Sequence, residues 1–123
     1  MKTQDPELAL GIQLLITKAL ADYRAWWGVK AEDPAVKNMI EEFRVYAEGG
    51  NKYIRIVHES AGSRSAHCFV VAKDTAKFKR GDILKSATWN APATNLKRGN
   101  VLTAARGNVL TGDLDCIRWT GAL

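Results

Sequence analysis

The sequence predicts an α+β fold: two N-terminal helices followed by a mostly antiparallel, small β-sheet or barrel-like domain. Three observations carry this. Apolar residues recur at three- and four-residue steps from Leu8 to Trp26, the period changes to alternation after Phe43, and glycine-containing turns punctuate the second half. At 123 residues, 46% hydrophobic and 25% charged, the chain suits a single domain, 1–123, with a helical part over 5–42 and a β-rich part over 43–123.

Asp5-Pro6-Glu7 opens the first helix. Asp caps the end, Pro takes the first helical position where its missing N–H costs nothing, and Glu meets the positive end of the dipole. Leu8, Ile12, Leu15, Ala19, Tyr23 and Trp26 form its inward stripe, and Gly28 fits its stop. Asp33-Pro34 repeats the start signal. Val36, Met39, Ile40 and Phe43 supply a shorter stripe, so the two helices are expected to form a hairpin or a lid on the rest.

"FRVYAEGGNKYIRIVHE" alternates on both sides of Gly-Gly-Asn, which predicts a β-hairpin; the competing reading runs the second helix on to Glu48. A Gly62-Ser63 turn then pairs Ile54 with Val71, Ile56 with Phe69 and His58 with His67 on one face. Further short strands are expected near 82–87, 100–103, 109–111 and 114–119.

One unit occurs three times: Arg80-Gly81-Asp82-Ile83-Leu84, Arg98-Gly99-Asn100-Val101-Leu102 and Arg106-Gly107-Asn108-Val109-Leu110. Glycine permits a positive φ, Asp or Asn bonds its own backbone, and the apolar pair enters a strand. Turn chemistry therefore explains every position except the arginine. The functional reading is that Arg80, Arg98 and Arg106 form one positive rim.

Charge points the same way. Lys and Arg total 18 against 13 Asp and Glu, and the window from Lys73 to Arg106 alone carries +6, leaving −1 for the remainder. A basic segment of this kind suits a polyanionic partner. Lys77, Lys79, Arg80, Lys85, Lys97, Arg98 and Arg106 are the candidate phosphate contacts, and Trp89, in "SATWNAP", is the candidate ring on which a base stacks. Trp26 and Trp119 are read as core residues.

Other classes find little support. Apolar runs are short, as at Leu14 to Ile16 or Phe69 to Ala72, so no membrane span is expected, and "MKTQDPEL" lacks an apolar signal core. A cytoplasmic protein is expected, with Cys68 and Cys116 as buried free thiols. His58 and His67 have no further ligand at a recognised spacing and Cys68 is expected on the opposite face, so no metal or other cofactor is assigned. No nucleotide-binding, hydrolase, zinc-protease or kinase motif occurs, and no enzyme activity is expected.

"SRSAHCFVVAKDTAKFKRGDILKSATWNAPATNLKRGNVL", closing with "IRWTGAL", resembles a group of short proteins encoded by bacteriophages and other viruses. The resemblance covers roughly 43–123, includes "KYIRIV" before the "SRSAHCF" strand, and leaves the N-terminal helices and the second RGNVLT copy outside it. It implies a viral origin, and hence the host cytoplasm, and carries over no catalytic residues. The expected function is binding of nucleic acid, single-stranded above all, with little sequence specificity. The alternative is a structural or virion module that binds a host protein or, as a homo-oligomer, pairs short strands with its own copy.

Overall fold

A computed structural model describes residues 5–105 and 114–123. The element order is α1 (Pro6–Trp27), a 3-10 turn (Gly28–Glu32), α2 (Pro34–Glu42), β1 (Arg44–Glu48), β2 (Tyr53–Ser60), β3 (Ser63–Val71), β4 (Asp82–Lys85), β5 (Gly99–Asn100), α3 (Val101–Ala105), β6 (Ile117–Arg118) and β7 (Gly121–Ala122). The architecture is α+β. The five strands β1 to β5 form an antiparallel meander in sequence order, and the sheet is open, not a closed barrel.

α1 begins and ends where its caps dictate. The Leu8 amide donates to Asp5 Oδ1 at 3.1 Å, and Gly28 leaves the helix at φ 58°. Leu8, Ile12, Leu15, Ala19 and Tyr23 are buried as the periodicity predicts. Trp26 departs from that stripe: it is 60% exposed, and the half-buried Trp27 packs against the core instead. α2 buries no side chain, so it is an outer segment and not a full partner of α1. Phe43, just beyond it, is buried and the chain enters β1, which decides for the hairpin over the longer helix.

The β2–β3 hairpin turns one residue earlier than predicted, at Ala61-Gly62, both with positive φ (51° and 81°). That is the signature of a type I′ turn, whose twist suits a two-residue hairpin. A bulge beside Ile56 and Val57 then shifts the register, giving Ile54↔Val70, Ile56↔Cys68 and His58↔Ser65, with His67 the extra residue. An extra residue breaks strict alternation. His67 and Cys68 therefore both turn toward α1, where opposite faces were expected.

The sheet face toward α1 is the main core: Val45, Ala47, Ile54, Ile56, Cys68, Val70 and Ile83 meet Leu8, Ile12, Leu15 and Tyr23. The other face is divided. Phe69, Val71 and Leu84 lie under Phe78, while Arg44, Tyr46, Arg55 and Arg64 project from the part formed by β1 to β3.

The first two repeated units do not form equivalent strands. β4 and β5 pair the first two copies with each other, Asp82↔Asn100 and Ile83↔Gly99. Gly81 takes φ 90°, whereas Gly99 is an ordinary strand residue. Asn100 Oδ1 accepts from the Leu102 and Thr103 amides at 2.8 and 3.2 Å. Those bonds cap a helix, so the strand expected over 100–103 gives way to α3 after one residue. The third copy, with Arg106, and the strand expected at 109–111 lie outside the described residues. The strand expected over 114–119 contracts to β6, which among the described residues pairs with β7 alone.

α3 packs on α1 at Gly11, where an added Cβ would stand 2.4 Å from the Val101 carbonyl oxygen and 2.9 Å from Val101 Cβ. Gly11→Ala is expected to destabilise the fold by about 1–3 kcal/mol, read as a lower urea midpoint at unchanged slope. Ala61→Asn, which supplies the residue a type I′ turn prefers, is expected to raise stability by about 0.5–1 kcal/mol in the same measurement.

Candidate nucleic-acid interface

The predicted contacts fall into separate settings. Arg80 bonds Asp5 and Glu7 at the start of α1, the latter at 3.1 Å, so its guanidinium ties the β4 turn to the helix. Lys97 Nζ lies 3.7 Å from Asp82, and Lys77 donates to the Thr94 carbonyl while lying over the Phe78 ring. Arg98 fixes its backbone to Ile83 at 2.7 Å, and its Nε is buried without a hydrogen-bond partner among the described residues. Lys79 and Lys85 are exposed, and no ion pair holds either among the described residues. Because the first two repeats run antiparallel, Arg80 and Arg98 flank opposite ends of their pairing and are not brought to one rim.

Trp89 has unexpected neighbours. Its ring lies 4.4 Å from the Arg55 guanidinium carbon and 5.1 Å from that of Arg64. Arg64 also lies 5.7 Å from the Tyr46 ring, and Arg44 5.3 Å from the same ring. The result is a continuous run, Arg44–Tyr46–Arg64–Trp89–Arg55, on the sheet face away from α1.

Strand alternation positions it. Arg44 and Tyr46 of β1, Arg55 of β2 and Arg64 of β3 share that face because their neighbours Val45, Ile54 and Ile56 point to the core. Trp89 arrives from the loop after β4, which a turn at Thr88 folds back: Thr88 Oγ1 accepts from the Asn90 and Ala91 amides at 3.2 and 3.1 Å. Arg55 Nε then donates to the Trp89 carbonyl at 2.8 Å, clamping the loop to the strand.

Two carboxylates lie among the three arginines. Glu48 accepts from Arg55 at 3.1 Å and from Arg64 at 2.9 Å, one oxygen to each. Glu59 lies 3.7 Å from Arg44 and 3.9 Å from Arg64, and accepts from the Tyr46 hydroxyl at 3.3 Å. The cluster keeps one net positive charge, and its arginine side chains range from 24% exposed at Arg55 to 65% at Arg44. Net-charge counting missed this group because acid and base are interleaved. The alternation in "FRVYAE" and "KYIRIV" is the signal that could have found Arg44, Tyr46 and Arg55.

The histidines sit on the opposite face, where they hold the C-terminal hairpin. His67, 1% exposed, places Nε2 2.6 Å from the Arg118 carbonyl and Nδ1 3.2 Å from Cys68 Sγ. The carbonyl can only accept, so Nε2 carries the proton and Nδ1 accepts from the thiol. The ring of His58 lies 5.7 Å from that of His67, so the expected neighbours do meet, through the bulge and not in the expected register. Trp119 donates its amide to Asp22 at 2.8 Å and packs 5.0 Å from Tyr23. Burial drops His67 to about 4, with the Arg118 carbonyl opposing and His58 adding to the shift. Burial also lowers His58, against a bond to the Trp119 backbone. The same burial pushes the Cys68 thiol well above its ordinary range, with Cys116 adding to it, so neither free thiol is primed as a nucleophile. Among the described residues no group of three or more His, Cys, Asp or Glu could hold a metal ion. No helix among them is long and apolar enough to cross a membrane.

Residues 3–123 match the model of a family of unknown function, DUF7717. The chain belongs to that family. The match takes in the N-terminal helices and the second RGNVLT copy, both of which the phage-like resemblance leaves out. No curated protein and no solved structure matches it.

The depressed histidines predict a pH dependence with a definite sign. An unfolded histidine binds its proton near 6.5 and folded His67 only near 4, so stability is complete above 6.5 and is lost as pH falls toward 4. Between pH 6.5 and 5, before most carboxylates titrate, chemical denaturation should show a loss of about 2 kcal/mol, and His67→Gln should remove most of that slope.

Proposed function

We propose that the chain is a small, non-catalytic binding protein whose partner is single-stranded nucleic acid, held with little sequence preference, and that it is phage- or virus-encoded and works in the host cytoplasm. The observation that carries this reading is the run of three guanidinia and two rings across β1, β2, β3 and the Trp89 loop. Rings offer every base a stacking surface at about 1–3 kcal/mol each, and guanidinia meet phosphates. Lys79 and Lys85 are exposed and without ion pairs among the described residues, but Lys85 pairs with Cys68 and so belongs to the face toward α1, away from this run. The viral setting rests on the motif resemblance alone.

A protein partner is the second reading. It is favoured by the apolar group at the end of α1 and beyond, where Trp26 is 60%, Val29 93% and Met39 45% exposed. Self-association through this group would appear in light scattering as a mass above 13.5 kDa.

Fluorescence anisotropy with labelled single-stranded DNA, RNA and duplex DNA, across a salt series, separates the readings. Single strands are expected to bind at low salt and to weaken steeply as salt rises. Arg44→Ala with Arg64→Ala should weaken binding about tenfold. Arg80→Ala should lower stability and leave affinity within about twofold. No binding of any strand at 50 mM salt or below would end the nucleic-acid reading.

A further inference from the structure

Glu48 occupies a particular place in the cation–aromatic run. Its two carboxylate oxygens go to different arginines, 3.1 Å to Arg55 and 2.9 Å to Arg64. Two guanidinia sharing one anion whose oxygens diverge is also how proteins hold a phosphate. Neither arginine relies on Glu48 alone for its position. Arg55 is clamped by its Nε bond to the Trp89 carbonyl and lies against the ring, and its side chain is 24% exposed. Arg64 lies between the Tyr46 and Trp89 rings and has Glu59 as a second carboxylate. Glu48 is the less constrained member. It ends β1, an edge strand, directly before Gly49-Gly50, and its side chain is 38% exposed. It can leave for water while the two guanidinia stay.

We propose that Arg55 and Arg64 form a seat for a phosphodiester group, with Tyr46 and Trp89 beside it to receive the flanking bases, and that Glu48 is a built-in competitor occupying this seat until the strand displaces it. This rests on the nucleic-acid reading and gives it a single anchoring point. The competitor lowers affinity for isolated phosphates, because any one of them must displace a tethered anion. A strand that also stacks on the rings recovers that cost. The seat thereby selects a nucleic-acid strand over free phosphate ions, and it does so without reading base edges.

Glu48→Gln tests this directly, since it removes the competing charge and keeps the side-chain shape. Any lost negative charge tightens polyanion binding somewhat, so Glu32→Gln is the control. Glu32 likewise lies between two cations, 3.6 Å from Arg24 and 3.3 Å from Lys37, but away from the rings. With labelled oligothymidylate in anisotropy, Glu48→Gln is expected to bind about tenfold tighter than wild type and Glu32→Gln less than twofold tighter. Arg64→Lys preserves net charge but loses the planar fork, and should weaken wild-type binding several-fold and cancel the gain in the double variant. If wild type binds but Glu48→Gln gains no more than Glu32→Gln, or binds more weakly, the competitor role is overturned and the nucleic-acid reading survives. If Arg64→Lys binds as wild type does, the seat itself is wrong. If neither wild type nor Glu48→Gln binds at low salt, both fall.

Discussion

The hydrogen bond between Asp82 and Asn100 is the contact on which the arrangement of the other elements depends. Asp82 is 2% exposed, and its carboxylate is satisfied by Asn100 Nδ2 at 2.9 Å and by the Lys79 amide at 2.9 Å. The same Asn100 closes the sheet edge with Nδ2 and starts α3 with Oδ1, and α3 in turn rests on α1 at Gly11. Leaving a buried carboxylate without these partners costs at least about 1–3 kcal/mol, and more for a charged group. The ion pairs of Arg80 with α1 are partly exposed and are worth at most about 1 kcal/mol each. The buried bond therefore dominates, and Arg80 adds a tether to a geometry already set.

The first two repeated units thus have a structural part. Their Gly-Asp/Asn-apolar portion is self-complementary and forms the β4–β5 pairing, and Arg80 goes to the start of α1. The electrostatic surface of interest then moves to strands with no conspicuous charge excess. There, guanidinia alternate with rings and with carboxylates, so the group is ordered by many short contacts while its net charge stays small. With so small a net charge, the contacts open to this group are short-range ones, stacking and the guanidinium fork, and not a long-range field, which salt screens within about 10 Å at 0.1 M.

Much of the architecture was legible in the sequence. Asp5-Pro6 and Asp33-Pro34 marked both helix starts, and the change of period at Phe43 placed the first hairpin, because caps and alternation are local signals. What misled was non-local or a matter of one residue. Ala61, with no special turn preference, holds φ 51° and moved the β2–β3 turn; the bulge at His67 then redirected Cys68. Asn100 can initiate either a turn into a strand or a helix, and its tertiary partner Asp82 decided for the helix. Trp89 was singled out for its loop, but its partners Arg55 and Arg64 lie 34 and 25 positions earlier and carry no local mark. The equivalence of the repeats failed because two copies pair with each other, which identical sequence cannot reveal.

The proposed binding face is the sheet surface of β1 to β3 and the Trp89 loop, and not the arginines of the repeat. Titrating isotope-labelled protein with a short single-stranded oligonucleotide at low salt, and following backbone, indole and guanidinium resonances by NMR, tests it most directly. The largest shifts are expected at Tyr46, Glu48, Arg55, Arg64 and Trp89, with Arg80 and Trp26 unmoved. Shifts concentrated at Arg80 and Arg98, or at Trp26 and Val29, with the sheet face silent, would contradict it.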